Sequence, residues 1–281
     1  MTVIQATSSL RRTLALGFVA GSAGLTACGV STQQEIQAGR QYAAEINRQL
    51  PIVDDPQVHR YINELGNLLQ RQPGNRDIPY TYYVVNSEEI NAFAIPGGFV
   101  YINRGLIERT GNLSELAGVL AHEIGHVEAR HSAEMMERMQ SAQVGVGIAS
   151  ILLGGPPSGL AGAAVDIGAT AYFARHSREA ENEADAVAVR LLPRAGIDPI
   201  GLVTFFKELI EERKRTPSTL EQWFSTHPLT EERIANVRSL IQALPPEQTR
   251  NLAITSQTYQ TFKQRVRSLP APPPEFRTRR D

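Results

Sequence analysis

The segment Asn112–Val127 constrains this chain more than any other, because it sets three polar side chains on a helix that is otherwise apolar. Asn112 is a helix-capping residue, and Glu115 three positions on completes a capping-box pattern. Leu113, Leu116, Ala117, Leu120, Ile124 and Val127 recur at helical spacing and make one stripe for a core. Gly118, Val119, Ala121 and Gly125 keep the remaining sides small or apolar. Beyond the first turn the polar residues are His122, Glu123 and His126. Burying such groups unpartnered costs roughly 1–3 kcal/mol each, so the helix asks for a ligand as well as a core.

The spacing points to a metal. Residues four apart share a helical face, so His122 and His126 aim at one point. Zinc accepts neutral imidazole nitrogen at about 2.0–2.1 Å, usually in tetrahedral geometry. Glu123 stands beside the first histidine and reaches a metal-held water without being a ligand. The run His122-Glu123-Ile124-Gly125-His126 is therefore the zinc-protease pattern His-Glu-x-x-His. A helix with two surface histidines would share the five residues but not the apolar surround.

Catalytic zinc usually takes three protein ligands and keeps a fourth position open. A continuation of the motif would need Gly at 129 and His at 132; the chain has Ala129 and Ser132, with His131 one place off. The segment Ser177–Leu192 instead offers Glu179, Glu181 and Glu183. At about 100° per residue, Ala180, Ala184, Val187, Ala188, Leu191 and Leu192 define its inward face. Glu181 falls roughly 50° from the centre of that face, Glu183 roughly 110° away on the far side, and Glu179 further out. Glu181 is the expected third ligand, and Glu179 and Glu183 are expected as solvated acids. Asp185, one turn below Glu181, can hold a ligating histidine by its other ring nitrogen.

With 281 residues and a formal net charge of −1, the chain lacks the basic balance of a nucleic-acid binder. A hydrophobic content of 42% is enough for a sizeable core. Residues 1–27 read as a secretory signal: Arg11 and Arg12, an apolar run Thr13–Leu25, then Leu25-Thr26-Ala27-Cys28. That ending resembles the bacterial lipobox, whose cysteine is diacylated. Cys28 is the single cysteine of the chain, which excludes an internal disulfide. Residues 28–34 are then a lipidated terminus and tether. The expected location is the periplasmic side of a bacterial membrane, with Gly29 in place of an acidic residue favouring the outer one.

Residues 35–244 are expected to form one domain, and 245–281 a modest helix and a Pro-rich tail without structure. Helical pattern runs over Gln33–Leu50 and Gln57–Gln70, with His59 a surface or packing residue. Strand pattern follows at Tyr80–Val85, Asn91–Ile95 and Phe99–Ile102, the last two flanking the turn Pro96-Gly97-Gly98. The free edge of that hairpin either binds an extended substrate or is covered. Helical character continues past Val127 to about Gln140, with Met135, Met136 and Met139 filling core or offering a pliant surface. The stretch Val144–Thr170 is apolar but too broken to span a bilayer, and is either a buried loop or a flap. His176 is read as local structure.

The pair His122-Glu123-x-x-His126 and Ser177-Arg178-x-x-Glu181-x-x-Ala184-Asp185 resembles the zinc metallopeptidase family of the CAAX prenyl proteases. That family includes HtpX-like, mitochondrial Oma-type and periplasmic lipoprotein proteases. Asn91-Ala92-Phe93-Ala94, Pro96-Gly97-Gly98 and Gly105-Leu106 are similar to the segment these enzymes carry before the metal helix, and the likeness covers about 31–244. The resemblance implies the same roles for Glu181 and Asp185. It also draws in Ser225-Thr226-His227-Pro228 and Arg233, whose counterparts stand beside the metal. His227 would either donate to the oxyanion, with Arg233 orienting it or adding charge, or swing in as a fourth ligand and hold the enzyme off.

The expectation is an α+β, predominantly helical, zincin-like domain with a small antiparallel sheet packed on the His-Glu-x-x-His helix. It would bind one zinc and hydrolyse peptide bonds in misfolded or stalled envelope proteins, held to the membrane by a lipid anchor. Two other readings stay open. One is an extracytoplasmic chaperone or assembly factor with a structural zinc; the other is a peripheral membrane module resting on Val144–Thr170.

Overall fold

The computed structural model describes residues 29–141, 176–216 and 220–278; the signal segment, Cys28 and Val144–Thr170 lie outside the described residues. Helix α1 (Thr32–Gln49) opens on a reciprocal capping box between Ser31 and Gln34. Helix α2 (Pro56–Gln70) opens on Asp55, whose carboxylate accepts from the amides of Gln57 and Val58 at 3.0 Å each, with proline in the first turn. Its stripe of Val58, Ile62, Leu65 and Leu69 is buried, while His59 is exposed.

Strands β1 (Thr81–Val85), β2 (Ala92–Ile95) and β3 (Phe99–Asn103) form a sheet in the order β1-β3-β2. β2 and β3 pair antiparallel, with Phe93 opposite Tyr101, as the hairpin pattern implies. β1, however, runs parallel to β3, with Tyr83 opposite Tyr101, so the sheet is mixed rather than wholly antiparallel. Two reversals of the chain explain the difference, the short connection from β1 to β2 and then the turn of the hairpin. Gly97 and Gly98 sit at φ 80° and 89°, and a Cβ on Gly98 would stand 2.4 Å from the Pro79 carbonyl oxygen. This tight hairpin commits one side of β3 to β2 and leaves β1 the other side. The outer edge of β2 is covered: Ser132 donates its hydroxyl to the Ala94 carbonyl at 3.1 Å, and Ala92 is buried.

After α3 (Arg104–Arg109) comes α4 (Leu113–Glu128), the centre of the molecule, buried from Leu113 to Val127. Asn112 caps it by accepting from the Glu115 amide at 3.1 Å. Glu115 returns to the Gly111 amide instead of that of Asn112, and also accepts from the Thr204 hydroxyl. Helical character continues to Ser141, but with one break: α4 stops at Ala129, and Arg130 turns the chain at φ 64° into α5 (His131–Ser141). The Arg130 guanidinium is anchored on Glu35 and on the Val30 carbonyl, which holds a left-handed residue that is not glycine. Met135 and Met136 are buried on α5; the side chain of Met139 lies outside the described residues.

Helices α6 (Arg178–Arg194) and α7 (Ile200–Arg215) pack on α4, and α8 (Glu221–Thr226) and α9 (Glu231–Gln242) complete that side. Helix α10 (Gln257–Arg267) buries Tyr259, Phe262 and Val266, with Phe262 stacked on Tyr61 of α2 at 4.2 Å. The Pro-rich segment is seated on the domain as far as Thr278 instead of lying free. Arg104 donates to the carbonyls of Arg267, Leu269 and Pro270, and Glu88 donates its amide to the Phe276 carbonyl. Among the described residues no helix is long and apolar enough to cross a membrane.

Candidate metal centre

The site exists because α4 and α6 approach backbone to backbone. A Cβ on Gly125 would lie 2.6 Å from the Ala184 carbonyl oxygen and 2.8 Å from its Cα, so only glycine permits the crossing. That contact sets Glu181, on the preceding turn of α6, beside both imidazoles of α4. His122 Nε2 and His126 Nε2 are 3.0 Å apart. Glu181 Oε1 is 3.2 Å from His126 Nε2, and Glu181 Oε2 is 3.6 Å from His122 Nε2. Ligands held at about 2.0–2.1 Å around a tetrahedral ion stand about 3.3–3.4 Å from each other, close to the 3.0–3.6 Å that separate these nitrogens from each other and from one or other Glu181 oxygen.

His227 ends α8, with its ring against Trp223 at 4.8 Å between centroids. Its Nδ1 is 3.2 Å from Glu181 Oε1, and its Nε2 is 3.6 Å from Glu123 Oε1. One donor atom from each of His122, His126, Glu181 and His227 falls within 4.8 Å of the others, and all four residues are buried. Glu123 lies beside this group, and its Oε1 is buried without a hydrogen-bond partner. Glu179 is exposed, as the wheel predicts for it.

Arg233 stands behind the donors. Its guanidinium grips Asp185 with two bonds, Nε to Oδ2 at 2.6 Å and Nη2 to Oδ1 at 2.9 Å, and donates Nη1 to Glu181 and to the Pro228 carbonyl. It also stacks over Phe206 at 4.6 Å. Asp185 in turn meets His122 Nδ1 at 2.9 Å, the arrangement that orients a ligating imidazole. Three buried carboxylates, Glu123, Glu181 and Asp185, thus face one buried guanidinium. Buried charge needs compensation, and with the histidines neutral, as metal ligands must be, a divalent cation balances the excess of two.

Proton affinities reflect the same crowding. Burial pushes the Glu123 carboxyl up. Burial also acts on Glu181, but His227, Arg233 and the imidazoles of His122 and His126 outweigh it and hold Glu181 well below the usual carboxylate range. For His122 burial is overcome by hydrogen bonds to Asp185 and Glu181, which carry it up to about 9. His126 is driven well below the usual imidazole range by burial and then by His176.

Two histidines that sequence reasoning set aside also belong here. His131 Nδ1 is 2.9 Å from His126 Nδ1, and the His176 ring stacks on His126 at 3.9 Å. Together the three can offer donors within 4.8 Å of one another. Glu183, expected in solvent, is largely exposed yet brings Oε2 within 3.4 Å of His131 Nε2. On an unbroken helix His131 would sit roughly 140° from His126; the reversal at Arg130 is what brings it back.

Comparison with known proteins agrees with this geometry. The profile of peptidase family M48 matches residues 53–241. The chain is 36% identical to the β-barrel assembly-enhancing protease of Yersinia pestis, over 87% of this chain and 50% of that one. It is 32% identical to the metalloprotease YcaL of Escherichia coli, over 74% of this chain and 76% of that one. Identity to the mitochondrial metalloendopeptidase OMA1 of Schizosaccharomyces pombe is 30%, over 68% and 54%. The chain spans about half the length of the β-barrel assembly-enhancing proteases it matches.

Proposed function

The chain belongs to peptidase family M48, and on that footing we propose that it is a zinc-dependent metalloendopeptidase of the bacterial envelope that cleaves misfolded or stalled proteins. The observation that carries the reading is the convergence of His122, His126 and Glu181 on one buried point with Glu123 beside it.

A zinc ion held there supplies Lewis acidity, polarising a peptide carbonyl and lowering the pKa of water to about 7. The chain's own residues do the rest. Glu123 takes the proton from water on its unpartnered oxygen and passes it to the leaving amine. His227 Nε2, close to Glu123, donates to the carbonyl oxygen as it gains charge. Asp185 holds the His122 ring, and Arg233 fixes Asp185, Glu181 and, through Pro228, the segment that carries His227.

The envelope setting is supported by relatives named for β-barrel assembly, and by residues 25–28. Val30, two residues after Cys28, gives its amide to Glu137 and accepts from Arg130. An acyl chain on Cys28 would therefore hold the α4–α5 turn close to the bilayer. Casein cleavage by the purified mature chain tests the activity: it should stop with chelator, return with zinc, and be lost in Glu123→Gln while zinc is retained. Equal cleavage by that variant overturns the mechanism.

A second reading has one specific support, the place of His227 among the donors. Ligation by His227 would close the site and leave a latent enzyme, or an assembly factor with a structural ion. Full rescue of a deletion strain by Glu123→Gln favours that reading, and failure to rescue favours hydrolysis.

A further inference from the structure

We propose that His131 is the positioning residue for His126, holding its outer ring nitrogen as Asp185 holds that of His122, with Glu183 setting the tautomer of His131. The inference rests on the metallopeptidase reading, because the role it assigns is toward the ion His126 would hold.

An imidazole that ligates a metal through one nitrogen almost always donates the other N–H to an acceptor, which fixes the ring's tautomer and orientation. His122 meets this requirement through Asp185 at 2.9 Å. His126 turns Nε2 toward His122 and Glu181, and an ion held among those three donors would take that nitrogen, which leaves the proton of a neutral ring on Nδ1. The group facing that nitrogen is His131 Nδ1, at 2.9 Å and with the two rings inclined at 66°. Two ring nitrogens at this distance share a single proton, so His131 Nδ1 accepts. Neutral His131 then bears its own proton on Nε2, and that atom faces Glu183 Oε2 at 3.4 Å. With an ion on His126 Nε2, one tautomer assignment satisfies both outer contacts.

The backbone serves the same end. His131 is the first residue of α5, buried, and delivered under His126 by the left-handed Arg130 that Glu35 anchors. Helix α6 then addresses the two ligand histidines with three acids at alternate positions. Glu181 meets the inner nitrogen of His126, Glu183 its outer nitrogen through His131, and Asp185 the outer nitrogen of His122.

The test is zinc affinity of the full mature chain, measured by competition with a chelator of known strength, for the parent, His131→Leu and His131→Asn. The side-chain oxygen of asparagine can accept where Nδ1 did, so His131→Asn should bind zinc within about threefold of the parent, whereas His131→Leu should bind about 10–100-fold more weakly. Melting of the metal-free forms separates this from folding. Equal affinities for the two variants overturn the inference. So does a second zinc equivalent lost with His131→Leu, which would make His131 a ligand alongside His126 and His176. A parent that takes up no zinc overturns the metallopeptidase reading itself, and the inference with it. Should His131→Leu not fold, ring nitrogen-15 spectra of the zinc-loaded parent decide. Metallation of His126 at Nε2 with a protonated, hydrogen-bonded Nδ1 supports the role; metallation at Nδ1 overturns it.

Discussion

Gly125→Ala is the substitution that best isolates the crossing of α4 and α6. The new methyl carbon would lie 2.6 Å from the Ala184 carbonyl oxygen, where ordinary contact begins at 3.4 Å, so the helices must part by about 0.8 Å. Neither neighbour is a flexible side chain that can swing aside; both near atoms are backbone of α6. Overpacking of this kind costs about 1–3 kcal/mol, while replacing a helical glycine by alanine returns about 1 kcal/mol. The net loss of stability is therefore small, about 0–2 kcal/mol. Function should suffer out of proportion. Glu181 rides on the displaced helix three residues before Ala184, and a shift of about 1 Å at a reacting site can cost about 100-fold in rate. The assay pairs urea unfolding with zinc competition and casein cleavage, using Gly118→Ala as control. There the added carbon meets Leu202 at 3.1 Å, on α7, a contact away from the ligands. The expected result is weaker zinc binding and a large drop in kcat/KM for Gly125→Ala alone. Parent-like zinc affinity and cleavage in a folded Gly125→Ala protein would refute the argument that this contact places the third ligand.

Arg233→Met leaves Asp185 and Glu181 buried without their guanidinium, so the metal-free protein should lose about 3–5 kcal/mol of unfolding free energy, with part regained on adding zinc; an unchanged urea midpoint would contradict the pairing. Asp55→Asn keeps a capping residue on α2 but removes the charge that Arg265 holds, the largest cause, with the Val58 amide, of the depressed Asp55 carboxyl. A carboxyl lowered by folding contributes stability in full above its unfolded value of about 3.9, and that contribution fades as the pH falls toward the native value. The parent should therefore lose its advantage over Asp55→Asn on acidification below about pH 4, and parallel melting curves across that range would contradict it.

What was legible in the sequence, and what was not, divides along physical lines. Periodicity exposed α4 and α6, and with them His122, His126 and Glu181, because an inward arc is a local property of a helix. The direction of β1 was not legible. Alternating apolar residues announce a strand but carry no sign of its partner's sense, which here follows from two reversals, between β1 and β2 and at Gly97 and Gly98. The break at Arg130 escaped for a different reason. Its left-handed conformation is stabilised by Glu35, 95 residues away in sequence, so neither His131 nor its contact with His126 could be read from spacing. The Pro-rich end is held by Arg104, which donates to the carbonyls of Leu269 and Pro270, residues that composition assigns to a free tail. Arg233, drawn in by resemblance alone, does reach the site, with Nη2 3.3 Å from His122 Nε2, but its bonds to Asp185 and Glu181 could not be read from spacing.

The most direct measurement is an anomalous difference map at the zinc absorption edge from crystals of the mature chain grown with zinc. One peak per chain is expected, within ligand distance of His122 Nε2, His126 Nε2 and a Glu181 carboxylate oxygen. No peak at all, or a sole peak among His126, His131 and His176, would contradict it.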